Sequence, residues 1–108
     1  MHPAGDQACA RVLWADVDPE RMDGMVDAVR MTLQPRMEDL PGFCSMSLMV
    51  DRGMGRATMS VTYAHRDALE RSREMSEGMR AEFAAPMGAR MTEVAEFFLV
   101  LAHLRVPE

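Results

Sequence analysis

The sequence predicts a single α+β domain in which four antiparallel strands carry two helices on one face, in the order β-α-β-β-α-β. Three observations predict it. Two apolar stripes recur with helical period, at 22–40 and 68–83. Two segments, 43–50 and 57–64, carry the period-two alternation of strands across a short glycine-bearing connection, the pattern of a hairpin. The remaining apolar segments, 9–17 and 91–102, are strand-like and flank the helices, so each helix is a crossover between strands.

Taken in order, residues 1–8 are expected to be a flexible leader, 9–104 the domain and 105–108 a tail. Cys9 to Val17 reads as the first strand, with Val12, Trp14 and Asp16 on one face and Leu13, Ala15 and Val17 on the other. Asp18-Pro19-Glu20 is a helix start: a capping carboxylate, proline at the first helical position and acid in the first turn. Met22, Met25, Val26, Val29, Leu33, Met37 and Leu40 then form one stripe. Pro35 lacks the amide hydrogen the ladder needs, so a kink or restart is expected there, and Pro41-Gly42 ends the helix.

Phe43 to Val50 is the second strand. Asp51 to Arg56 makes the hairpin connection, and Ala57 to Ala64 is the third strand, with Ala57, Met59, Val61 and Tyr63 on one face. The second helix is expected from about His65 to Ala85, with Ala68, Leu69, Ser72, Met75, Ser76, Met79 and Phe83 inward and the pairs Glu70/Arg73, Arg73/Glu77 and Glu77/Arg80 outward. Pro86 and Gly88 stop it. The last strand, roughly Met91 to Ala102, is nearly continuous in bulky residues, as expected of a strand covered on both faces.

Two such crossovers joined by a hairpin form a ferredoxin-like unit, in which the first and second strands are not neighbours. Cys9 and Cys44 then lie on separated strands, which argues against a disulfide and for two buried apolar thiols in a reducing cytoplasm. Helices on one face leave the other bare, and apolar residues there predict a homodimer.

Composition narrows the functions. The chain has 108 residues and a net charge of −5, and all 12 of its basic residues are arginine. Without lysine there is no phosphate-loop lysine and no Schiff base. The arginines are dispersed among acids, which excludes a basic nucleic-acid face. No apolar run approaches the ~18 residues of a membrane span. His2, His65 and His103 make no metal-ligand spacing. Thirteen methionines are expected chiefly as core filler, and secondarily as an adaptable wall for an apolar ligand.

Leu40-Pro41-Gly42-Phe43 at the entry to the second strand, and Val61 to Leu69 across the third strand and second helix, resemble the antibiotic-biosynthesis-monooxygenase-like family of dimeric α/β barrels. The resemblance covers about residues 10–102. It implies a barrel formed by two subunits' sheets, a small-molecule pocket between each sheet and its helices, and, for the oxygenase branch, reaction without metal or flavin. Those oxygenases often carry an Asn and a Trp four residues apart on the third strand; the matching positions here are Met59 and Tyr63. The haem-degrading branch uses a histidine in the second helix, and residues 66–85 contain none.

Two functions follow as expectations. The first is a cofactor-independent monooxygenase or related cyclase acting on a hydrophobic polycyclic aromatic such as a polyketide intermediate. In it Tyr63 positions substrate, His65 or Asp16 is the base, Trp14 stacks on the ring, and Met59, Met75, Met79 and Phe83 line the pocket. The second is a non-catalytic dimeric binding protein, with Tyr63 and Trp14 as core aromatics, His65 at a helix start and Asp16 a solvated strand-end charge. Arg11, Arg56 and Arg90 fall at strand ends, where an arginine either binds an anion or is solvated.

Overall fold

The computed structural model describes residues 7–103 and 105; the proposed leader and tail lie mostly outside them. β1 (Cys9–Val17), β2 (Phe43–Asp51), β3 (Arg56–Tyr63) and β4 (Ala89–Phe98) form one sheet in the order β2-β3-β1-β4, antiparallel throughout. That is the ferredoxin-like topology, and it separates β1 from β2. Cys9 and Cys44 are both free thiols. Cys9 is buried, but Cys44 is exposed, contrary to expectation. It lies where the β2–β3 register slips between Phe43 and Ser45, so it has no fixed place on the packed side.

The first crossover begins as written in the sequence. Asp18 accepts from the Glu20 amide at 3.0 Å, and Pro19 opens a short 3-10 turn, Pro19–Arg21. α1 (Met22–Ala28) follows, then a π-helical turn, Val29–Leu33, then α2 (Gln34–Glu38). The expected kink at Pro35 is this wider turn. Residues four apart drift by roughly 40° on an α-helix. Met25, Val29, Leu33 and Met37 would therefore wind off the sheet, and an i→i+5 turn takes up the excess and keeps all four buried.

The second crossover is divided into α3 (Arg66–Arg71) and α4 (Arg73–Phe83) at Ser72. Buried Arg11 donates from Nη2 to the Leu69 carbonyl at 3.1 Å and from Nη1 to Ser72 Oγ at 3.1 Å, while Ser72 Oγ donates to the same carbonyl at 2.7 Å. Two side chains thus claim the Leu69 carbonyl, and the ladder bends there. The outward charge pairs differ from expectation as well. Arg66–Glu70 and Arg71–Asp67 form on α3, whereas Arg73 reaches across to Glu96 on β4.

The core lies between sheet and helices: Met22, Met25, Val29, Leu33 and Met37 against Leu13, Val17, Ala57 and Val61. Gly42, at φ +79°, brings β2 in beside α3, where a Cβ would collide with that of Ala68. Two expectations about the rest of the sheet are revised. β4 ends at Phe98, although Leu99 still donates to the Ala8 carbonyl at 2.9 Å. It is an edge strand, not a strand covered twice, and Val94, Phe97 and Phe98 are exposed.

The bare face is also more divided than expected. The register places Ser45, Ser47, Met49, Thr58, Ser60 and Thr62 on its β2–β3 half, mostly small hydroxyls, and Val12, Trp14, Glu93, Ala95 and Phe97 on its β1–β4 half. Among the described residues no helix is long and apolar enough to cross a membrane.

Candidate functional site

Between the sheet and the two helical crossovers, toward the β1 end marked by Val17, the packing leaves a cavity. β1 contributes Leu13, Ala15 and Val17, β3 contributes Ala57, Met59 and Val61, and α4 contributes Ser76, Met79 and Arg80. Six methionines line it: Met25, Met37, Met59, Met79, Met87 and Met91. The wall is apolar apart from Ser76 and Arg80. The cavity encloses about 80 Å³. A dry cavity of ~150 Å³ holds one benzene, so a fused-ring molecule requires the walls to move. Methionine suits such a wall, because its unbranched side chain changes rotamer at little cost.

The proposed pocket residues divide three ways. Met59 and Met79 line the cavity. Met75 does not; it stands at the edge of the α4 stripe and is 52% exposed. The side chain of Phe83 lies outside what the structure describes. Trp14 and Asp16 are on the opposite face of the sheet from Met59 and Met79. Trp14 is paired with Thr58 and Glu93, and Asp16 is ion-paired with Arg90 at 2.7 Å. A strand's alternation shows which residues share a face, and only the register shows which face meets the helices.

Tyr63 is on the helix side, with no exposed surface, but it is not among the residues lining the cavity. Its hydroxyl is buried with no hydrogen-bond partner, and the Arg11 guanidinium lies 5.8 Å from its ring centroid. His65 caps α3: its Nδ1 accepts from the Ala68 amide at 3.1 Å. Its Nδ1 lone pair is thereby occupied by the helix cap. The structure therefore does not bring Tyr63, His65, Asp16 and Trp14 together around one space.

Beyond this cavity, at the Cys9 end of the sheet, lies a charged cluster. Arg11 is only 2% exposed, on the helix side instead of at a solvated strand end, and meets Glu96 at 3.1 Å; Arg73 holds the same carboxylate from outside. The hydrogen bond from Arg73, reinforced by Arg11, holds the Glu96 carboxyl below the usual glutamate range against the opposing effect of burial. Burial raises the Cys9 thiol, and only in part does Arg66 offset it. Among the described residues no group of three His, Cys, Asp or Glu side chains is placed to hold a metal.

Arg80 is the residue sequence reasoning missed. It was assigned to a solvated face through Glu77/Arg80, yet it turns into the cavity wall and donates to Ser76 Oγ at 3.0 Å. The signal was present: Ser76, four residues earlier, already belonged to the inward stripe.

No family model matches the chain. It is 40% identical over 107 residues to the uncharacterized protein Rv2557 of Mycobacterium tuberculosis, and 40% identical over 108 residues to Rv2558 of the same strain. These alignments cover 99% of this chain but 48% and 46% of the relatives, so the chain spans about half their length.

Among solved structures it superposes on SnoaB, a cofactor-independent oxygenase from Streptomyces nogalater, with TM-score 0.61 and 15% identity over 94% of this chain and 99% of that one. ActVA-Orf6, a Streptomyces coelicolor monooxygenase solved with nanaomycin D, gives 0.65 and 15%, covering 95% of each. A dimeric ferredoxin-like protein from an uncultured marine organism gives 0.68 and 19%, over 90% and 99%. At such identities the likeness is one of fold. The chain thus shares its fold with antibiotic-biosynthesis-monooxygenase-like proteins.

Proposed function

We propose that the chain is a monooxygenase that needs no metal or flavin and oxidises an apolar aromatic substrate in the cavity between its sheet and helices. The observation that supports this reading most is the methionine-lined cavity, set in a fold shared with a cofactor-independent oxygenase. The chemistry suits a site built of apolar walls. An activated ring C–H or O–H loses a proton to solvent water, which returns one to the peroxide formed later, and the anion supplies the electron that dioxygen needs. The carbon–oxygen bond then forms, and loss of water from the hydroperoxide leaves a carbonyl. One oxygen atom ends in the product and one in water, and the substrate provides all the electrons. The protein's part is to hold the anion out of bulk water beside a space that dioxygen can enter.

In this reading Met59 and Met79 are the substrate walls, and Tyr63, His65, Asp16 and Trp14 are outside the reaction. Purified, chelator-treated protein incubated with dithranol, a soluble anthrone, is expected to consume oxygen and yield the anthraquinone faster than spontaneous oxidation. Met59→Trp and Met79→Trp, which fill the cavity, are expected to abolish the excess rate, while Tyr63→Phe and His65→Ala leave it largely unchanged. A rate no greater than in buffer, across a panel of anthrones and naphthols, would remove the oxygenase.

The same cavity supports a second reading, a carrier of apolar molecules. It is favoured by methionine at position 59 and by the absence of the Tyr63 hydroxyl from the cavity wall. Saturable ligand binding without oxygen uptake distinguishes it.

The working unit in either reading is a homodimer joined through the bare face of the sheet. Val12, Trp14 and Phe97 supply its apolar half, and Phe97 stands 53% exposed in the single chain. A structural neighbour of the same topology is described as dimeric.

A further inference from the structure

The cavity's one charged wall residue, Arg80, has no ion-pair partner among the described residues. Arg80 is half-buried and donates to Ser76 Oγ at 3.0 Å, and among the described residues no carboxylate forms an ion pair with it. Its neighbours make its position costlier. Burial lowers its affinity for a proton, and the like charge of Arg11 lowers it further; Glu77 and Glu96 act in the opposite sense without cancelling the two. Arg11, by contrast, has Glu96. A guanidinium half-removed from water on an otherwise apolar wall is stabilised most by an anionic oxygen, which it binds with two parallel N–H donors.

The Tyr63 hydroxyl, toward the Cys9 end and outside the cavity wall, is also buried with no hydrogen-bond partner. Buried hydroxyls without a partner are rare in packed cores.

We propose that Arg80, with Ser76 beside it, is the anchor for an ionised oxygen on the ligand, so that the cavity selects apolar aromatic acids over neutral aromatics of the same shape. This rests on the cavity as the ligand site but not on any oxidation. The ring system lies among Met59, Met79 and Met25, and the carboxylate or phenolate lies against the guanidinium. Where a reaction follows, the same contact favours the ionised form of the substrate.

The test is calorimetric titration with three probes at neutral pH: 2-naphthoate, its uncharged isostere 2-naphthamide, and 2,4-dinitro-1-naphtholate. At least one anion is expected to bind ten-fold or more tightly than the amide, and which anion binds better assigns a carboxylate or a phenolate as the source. Arg80→Met, which keeps the apolar stem, is expected to remove that preference, and Arg80→Lys to keep part of it. Equal binding of amide and anions by the unmodified protein, no binding of either anion at millimolar concentration, or a preference that survives in a folded Arg80→Met protein would each overturn the proposal. Oxygen uptake is not read in this experiment. A ten-fold preference without dithranol turnover therefore rejects only the oxygenase, and turnover without the preference rejects only the anchor.

Discussion

The helix-covered face of the sheet packs two regions of opposite chemistry side by side. At the Cys9 end, Arg11, Glu96, Arg73 and Ser72 satisfy one another around the Tyr63 ring. At the Val17 end, methionines from both crossovers and from β3 and β4 surround an unfilled space, with Arg80 the one cation on its wall. One charge is enclosed and paired with Glu96, whereas the other is half-enclosed and, among the described residues, bonded only to Ser76. Buried charge by itself therefore does not mark a site. Arg11 is the more deeply buried, yet its donors are already used, so it holds structure; Arg80 has capacity left, and it faces the space a ligand would enter.

The largest effect is expected at the paired end. Glu96→Ala leaves Arg11 enclosed without its carboxylate and is expected to cost about 3 kcal/mol in urea unfolding, because an unpaired buried charge is costlier than a missing contact. Glu96→Gln, which still accepts hydrogen bonds, should cost clearly less. If the two variants are equally stable, the cluster is a surface ion pair in effect.

At the cavity end, Met79→Ala is expected to cost about 2 kcal/mol, the low side for a buried methionine, because it enlarges a space that already exists. It should also tighten binding of larger ring systems. A loss on the high side, near 5 kcal/mol, would mean the cavity is closed in solution.

On the other face of the sheet, Trp14→Ala is expected to weaken self-association about ten-fold or more, roughly 1.4 kcal/mol, as measured by sedimentation equilibrium. An unchanged dimer would place the interface elsewhere.

Acid provides a gentler probe of the paired end. The Glu96 carboxyl is held below its ordinary value of 4.5 in the folded chain. Its contribution is therefore fully present above that value and is lost as pH falls through the lower, folded-state value. Unfolding free energy should decline over that acid range, and less steeply in Glu96→Gln. The smallest effect is expected from Tyr63→Phe, which removes a buried hydroxyl that has no partner. Stability should stay level or rise by up to about 1 kcal/mol, since no hydrogen bond is lost and a desolvated oxygen is relieved. A marked loss would show that the hydroxyl has a partner in solution.

Much of the fold was legible because it is written in local rules. The bounds of β1, the Asp18-Pro19 start, the restart near Pro35, the hairpin and the two crossovers all follow from periodicity, capping and glycine or proline punctuation. The site was legible only in part. Met59 and Met79 were found because each shares a parity or a stripe with core residues. Trp14 and Asp16 share a face, as expected, but that face is the one away from the cavity, since parity within β1 is silent about which face packs. Arg80 is solvated by the default expectation for a charged residue on a helix, and only its place four residues after inward Ser76 argues otherwise.

What the sequence by itself determined is therefore the order of elements, their ends and the residues that share each face, because these depend on interactions spanning a few residues. Only the tertiary structure decided which face each strand turns inward, which arginine is paired, and where the methionines leave a space. Those outcomes depend on strand register and on contacts between residues dozens of positions apart, as Arg11 and Glu96 are, and no local pattern encodes them.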